Sequence, residues 1–196
     1  GTVAELGHVS TNHALALDIA AGQKIKSIVV ADDKVAADCI KYLKEKQLGI
    51  ATFLPLNKVR PQPISPETAE LKKANGVHGM AIDLIEYDHK FKSVFSHVFG
   101  NTLVVESIDT ARRIGVGSAK MVTLDGDLTE TSGAMQGGYR AKGRSGMGFQ
   151  QEEIAKKLTA VGEEVAELEE QTIKFERKRR DNEALITRLR EHKANL

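Results

Sequence analysis

The residues with the most chemically suggestive spacing are Gly138-Tyr139-Arg140-Ala141-Lys142-Gly143-Arg144-Ser145. They differ at one position from a phosphate-binding loop, with Arg144 where such a loop carries lysine. A loop of that kind cradles phosphates with backbone N–H groups and sets a lysine ammonium against the β- and γ-phosphates. The planar fork of arginine does not reproduce that compact contact. The chemistry also needs a strand directly before the loop and a helix opening at its Lys-Ser/Thr end. Here the upstream strand pattern, Met121–Leu124, is too distant, and helical periodicity resumes only near Gln151. "GRSGMG" (Gly143–Gly148) and "GVGS" (Gly115–Ser118) fail as dinucleotide fingerprints for the same reason. A small α/β nucleotide-binding enzyme with an appended coiled coil is therefore the alternative reading, and the weaker one.

Other reactive side chains assemble no better. The six histidines (His8, His13, His78, His89, His97 and His192) lack the i,i+4 spacing of a zinc helix, and no cysteine pair completes a metal set. Asp83, Glu86 and Asp88 stand at strand ends or turns, and Leu124–Leu128 ("LDGDL") reads as an Asp-Gly turn. The single cysteine, Cys39, excludes an internal disulfide and fits a reducing, cytoplasmic compartment. Its helical context predicts a buried structural thiol. The residues alone predict a non-catalytic module without cofactor or metal.

The stretch Ser132–Gly148 uses glycine differently. It holds six glycines, three basic residues and no acid. It also divides the chain. Upstream, the sequence reads as a globular α/β body. Downstream, Gln151–Leu196 has no proline, one glycine (Gly162) and dense Glu, Lys and Arg. The net charge of +1 gives no global attraction to nucleic acid, so any basic patch is local. No apolar run reaches the ~20 residues of a membrane helix, so no membrane partner is expected.

In the body, two segments repeat a strand–helix–strand pattern. The first sets a β-branched strand at Ile28–Val30, caps at Asp32 or Asp33, a helix carrying Val35, Ala36, Cys39, Ile40 and Leu43, and a strand at Ala51–Leu56. The second sets a strand at Leu103–Val105, a cap at Ser107 or Asp109, a helix carrying Ala111 and Ile114, and a strand at Lys120–Leu124. This weak internal duplication predicts two related subdomains, 1–75 and 76–150, joined at the proline-rich Arg60–Gly76. "VHGMAIDLIEY" (Val77–Tyr87) predicts a strand. The following helix turns Phe91, Val94, Phe95 and Val98 inward and is capped by Gly100.

From Ile154, steps of four and three residues give thirteen positions, nine of them apolar: Ile154, Leu158, Val161, Val165, Leu168, Phe175, Ile186, Leu189 and Leu196. A period sustained that long predicts a coiled-coil helix over 151–196, on the order of 65 Å long. Residues 1–150 contain no second heptad segment. The partner helix is expected from another chain or from sequence upstream of Gly1, and the chain is expected to be a piece of a longer protein.

Five strings, in order, carry a resemblance: "GTVAELGHV" (Gly1–Val9), "ATFLPLNKVR" (Ala51–Arg60), "VFGNTLVVESIDTARRI" (Val98–Ile114), "VTLDGDL" (Val122–Leu128) and "SGAMQGG" (Ser132–Gly138). Together they resemble the hinge domain of SMC (structural maintenance of chromosomes) proteins, and the tail resembles the start of the returning coiled-coil arm. The resemblance implies two α/β hinge subdomains in approximate two-fold relation, followed by a long coiled-coil helix. It implies pairing with a second SMC hinge, the first subdomain of one chain meeting the second of the other. It places the ATPase heads, with their ATP and Mg, outside this chain, and the missing outgoing arm antiparallel to Gln151–Leu196. The protein would be chromosome- or nucleoid-associated, and the body looks closer to a prokaryotic homodimer.

The family's interface contains two Gly-Gly pairs separated by three residues. The matching positions here are Ser132, Gly133, Gly137 and Gly138, with serine in place of the first glycine. Glycine suits such a site because backbones without Cβ approach closely and adopt φ > 0. The family also binds DNA, often single strands, near the junction of hinge and arm. Arg140, Lys142 and Arg144 stand there by sequence and can neutralise phosphates.

Overall fold

The computed structural model describes residues 1–139 and 148–194. Residues Gly1–Glu152 form one compact unit and Glu153–Leu196 a second.

The first unit is mixed α/β. Its elements are β1 (Gly7–Val9), α1 (Thr11–Ala21), β2 (Ile28–Val30), α2 (Asp33–Glu45), β3 (Phe53–Pro55), α3 (Pro66–Leu71), β4 (Val77–Met80), β5 (Ile85–Tyr87), α4 (Lys92–Phe99), β6 (Thr102–Val105), α5 (Ile108–Ile114), β7 (Lys120–Thr123), β8 (Leu128–Thr129) and β9 (Met135–Gln136), and α6 starts at Phe149. The main sheet has five strands in the order β4-β6-β7-β8-β9, with β6 and β7 parallel and the other neighbours antiparallel. Two small sheets complete it, β2–β3 parallel and β1–β5 antiparallel.

Both repeated segments fold as expected locally. β2–α2–β3 and β6–α5–β7 are each a parallel strand pair joined through a helix. Their helices start at side-chain caps: Asp32 accepts from the Val35 N–H, and Ser107 from the Thr110 N–H. β6 is buried along its whole length, because Val104 faces one apolar cluster while Leu103 and Val105 face another. That alternation is the two-residue period of a strand covered on both faces.

The larger cluster joins the two halves of the body. Val3, Leu17, Ile25, Val29 and Leu54 share it with Phe95, Phe99, Val104 and Val122. β1 of the first half pairs with β5 of the second, and α1 lies on β6, β7 and α4. The proline-rich joint is also packed rather than free. Thr68 of α3 is fully buried, the Ser65 N–H donates to Asn101 Oδ1 at 3.0 Å, and Ser96 Oγ donates to the Gln62 carbonyl at 3.1 Å.

Three local expectations change. Val77–Tyr87 is two strands in different sheets, because a bulge between Val77 and Gly79 and a 3₁₀ turn at Ala81–Leu84 redirect the chain. Gly100 caps α4 with φ −38, outside the left-handed region; glycine is needed because a Cβ would lie 2.8 Å from Gln62 Cβ. Cys39 is half-buried. Only Ala36 of α2 is buried, and Val35 and Ile40 stay 41% and 42% exposed, because a two-stranded sheet covers only a narrow stripe of the helix.

The second unit is helical over its described residues. α6 (Phe149–Ala194) runs 46 residues, roughly 69 Å at 1.5 Å per residue. The predicted seam residues Leu158, Val161, Val165, Leu168, Phe175, Ile186 and Leu189 are all exposed. Lys174–Glu170 pairs at i,i+4 off the seam at 2.6 Å, and Arg179, at a polar seam position, pairs with Glu183 at 3.0 Å. Thr172, at a polar seam position, donates its hydroxyl to the Leu168 carbonyl at 2.8 Å.

Candidate functional site

The glycine strip lies at the end of the main sheet. β8 and β9 form a hairpin whose register pairs Leu128 with Gln136 and Thr129 with Met135. The turn between them is closed by Glu130 N–H to Ala134 O at 2.8 Å and Gly133 N–H to Glu130 O at 2.9 Å, and Ser132 Oγ accepts from the Ala134 N–H at 3.3 Å. Serine at 132 thus serves the turn through its hydroxyl. Every residue from Thr131 to Tyr139 is exposed, and β9 is the terminal strand of its sheet.

The glycines do different jobs. Gly133 (φ +85) and Gly138 (φ +135) hold backbone conformations that L side chains rarely adopt, with open space where a Cβ would point. Gly137 is limited by space instead. A Cβ there would run into Asp127 Oδ1 and lie 2.8 Å from its Cγ. The same Asp127 Oδ1 accepts from the Gly138 N–H at 3.3 Å. Asp127 is itself seated by two bonds to Thr123: its N–H donates to Thr123 Oγ1 at 2.9 Å and its carbonyl accepts from the Thr123 N–H at 2.8 Å. By its local sequence Asp127 belongs only to the Asp-Gly turn. That turn exists, with Gly126 at φ +88, but the carboxylate's grip on Gly137–Gly138 spans eleven residues and leaves no local signature.

A second strand end faces outward in the first half of the body. β3 has β2 on one side only, whereas β2 is bridged on its far side by Thr2. Just before β3, Leu48 and Ile50 are exposed. Free strand edges next to exposed apolar side chains are the usual template for strand addition.

The basic positions Arg140, Lys142 and Arg144 lie outside the described residues. Residues 140–145 of the phosphate-loop-like string lie outside the described residues as well, and α6 is described from Phe149. Among the described residues, no group of three or more His, Cys, Asp or Glu side chains stands close enough to hold a metal ion. His13 and His78 meet edge to face with centroids 5.6 Å apart, and His13 Nδ1 is 2.8 Å from Ser10 Oγ. Burial, then the neighbouring His78, holds the His13 imidazole below its ordinary value. Among the described residues, no helix is long and apolar enough to cross a membrane.

These features define a mixed α/β module with open strand edges, carrying a long helix whose apolar seam is exposed. The family model described as "SMC proteins Flexible Hinge Domain" matches residues 1–115. The chain belongs to the SMC hinge family. The chromosome partition protein Smc of Synechocystis is 43% identical over 170 residues, 87% of this chain and 13% of that protein. The chain thus spans about an eighth of that relative's length. The Geobacillus stearothermophilus SMC hinge domain, solved as an asymmetric dimer, superposes with a TM-score of 0.71 at 30% identity, covering 85% of this chain and 68% of that one. The Pyrococcus furiosus SMC hinge domain gives 0.62 at 42% identity, covering 73% and 74%.

Proposed function

We propose that the chain is the dimerisation hinge of a chromosome-organising SMC ATPase, joining two copies of itself in a ring. The observation that carries this reading is the exposed β9 edge with its glycine strip, held in place by Asp127. In this reading the β9 end of one chain meets the β3 end of its partner. Two-fold symmetry repeats the contact, and Gly133, Gly137, Gly138 and the small Ser132 let the backbones approach. The two halves, 1–75 and 76–150, act as related subdomains on a shared core. The Geobacillus hinge, solved as an asymmetric dimer, supports self-association at this level alone.

The exposed seam of α6 takes the outgoing arm of the same protein as its antiparallel partner. Arg140, Lys142 and Arg144 contribute phosphate contacts to DNA, with a preference for single strands. The module has no catalysis or cofactor of its own; ATP and Mg act at heads outside it. The whole protein works on the chromosome, a reading supported by the chromosome partition relatives, and does so in the cytoplasm.

Light scattering tests the reading. The full chain and the compact unit 1–152 are both expected at dimer mass. Gly137→Glu combined with Gly138→Glu is expected to give a folded monomer. A dimeric double variant overturns the assigned interface, and a dimer lost on deleting 153–196 assigns pairing to α6 instead.

A further inference from the structure

We propose that Asp18, in the last turn of α1, is the clasp that holds the first residue of α6, Phe149, in place within the 1–152 unit. The first N–H groups of any helix lack intrahelical acceptors. The acceptor is usually a side chain just ahead of the helix, but the residue ahead of Phe149 is Gly148, which has none. It comes instead from 131 positions away: the Phe149 N–H donates to Asp18 Oδ1 at 3.0 Å. The Gly148 N–H donates to Asp18 Oδ2 at 3.2 Å. Each oxygen of one carboxylate thus holds one backbone donor, at the end of a helix where negative charge is favoured.

The arrangement is built for close approach. Asp18 is only 7% exposed, a position where a carboxylate needs its donors. Burial pushes its carboxyl up, and the Phe149 and Gly148 N–H groups offset only part of that rise. A Cβ on Gly148 would sit 2.5 Å from both Asp18 Oδ1 and Ile25 Cγ1, so the last residue of the glycine-rich stretch before α6 has to be glycine. Phe149 adds an apolar anchor. It is 7% exposed, and its ring extends the series Tyr87–Phe95–Phe99, 6.2 Å from Phe99. All of these contacts lie within Gly1–Glu152, where the chain enters the helical unit. The contact does not depend on dimerisation; only its meaning as the root of a coiled-coil arm rests on the hinge reading.

Residue-resolved amide exchange on the full chain tests the clasp. In the wild type the Phe149 amide is expected to be protected at least about a hundredfold, although it opens a helix. An unprotected Phe149 amide overturns the proposal, and needs no variant. Asp18→Asn keeps the shape but turns one acceptor into a donor that faces another donor. It is expected to raise Phe149 exchange about tenfold or more while Val104 and Val122 keep wild-type protection. No rise, or an equal rise across the core, also overturns the clasp. If the variant does not fold, the wild-type measurement decides. The mass of the same samples reports separately on the hinge: a monomeric wild type sinks that reading and leaves the clasp standing.

Discussion

The carboxylate of Asp127 occupies the space in which a side chain on Gly137 would begin, and the same oxygen receives the N–H of Gly138. The two glycines are thus required for different reasons, and mutation separates them. Gly137→Ala meets Asp127 and is expected to cost about 1–3 kcal/mol, as overpacking does. Adding Asp127→Ala relieves the clash and recovers part of the loss. Gly138→Ala meets open space but must hold φ +135. It is expected to cost about 1–2 kcal/mol, with no recovery in the Asp127→Ala background. Urea midpoints of the four variants check this; equal recovery for both glycines would contradict it.

Phe95 is fully buried and stacks on Tyr87 at 4.4 Å and Phe99 at 6.1 Å between centroids. Phe95→Ala is expected to lower stability by about 3–5 kcal/mol. The same ring leaves no room at Gly7, where a Cβ would lie 2.8 Å from Phe95 Cε1. Gly7→Ala should therefore destabilise the wild type and be better tolerated with Phe95→Leu. Thermal unfolding of the single and double variants measures the coupling.

His13 makes stability depend on pH. Its folded-state value lies below the ordinary imidazole value, through burial first and His78 second. On acidification the unfolded chain takes up this proton before the folded one does. Stability is therefore full above the unfolded value of about 6.5 and falls as pH drops through it toward the folded value. Denaturation midpoints between pH 8 and 5 should show the decline, and His13→Gln should flatten it. A slope unchanged by the substitution would assign the decline to other groups.

Asp33 is shifted in the same direction, downward, but its pH window is separate. The Asn57 amide donates to its carboxylate at 2.7 Å and holds the carboxyl below its usual range. The resulting stability is present above the ordinary carboxylate value of about 3.9 and disappears as pH falls through the lower folded value. Asn57→Ala should weaken this dependence and leave the decline near pH 6 untouched. Acid titration followed by circular dichroism distinguishes the two.

If Arg140, Lys142 and Arg144 each neutralise one phosphate on single-stranded DNA, each contributes about 0.7 to the slope of log affinity against log salt. The triple alanine variant should lose about 2 from that slope, with its unfolding midpoint unchanged. Fluorescence anisotropy from low to moderate salt reads this directly. An unaltered slope would remove these residues from the DNA contact.

Much of the local structure is legible without the fold. The β-branched runs at Ile28–Val30 and Leu103–Val105, the caps Asp32 and Ser107, the Asp125-Gly126 turn and the heptads of α6 are all nearest-neighbour or short-period features. They are legible because caps, turns and helical faces are decided within a few residues. The split of Val77–Tyr87 and the half-exposure of Cys39 are not. Both depend on which neighbouring elements cover the segment, and burial is non-directional: an apolar residue does not name its partner.

The same line divides the candidate site. The sequence by itself determined that residues 132–148 would be a glycine-rich, acid-free junction between an α/β body and a helix with an unsatisfied apolar seam. Composition and periodicity are enough for that. Only the tertiary structure decided that Asp127 grips Gly137–Gly138 and that Asp18 reaches Gly148–Phe149. A carboxylate accepts from any backbone N–H that folding brings within about 3 Å. Which N–H that will be is settled by the packing of a core shared between distant segments, and no local pattern records it.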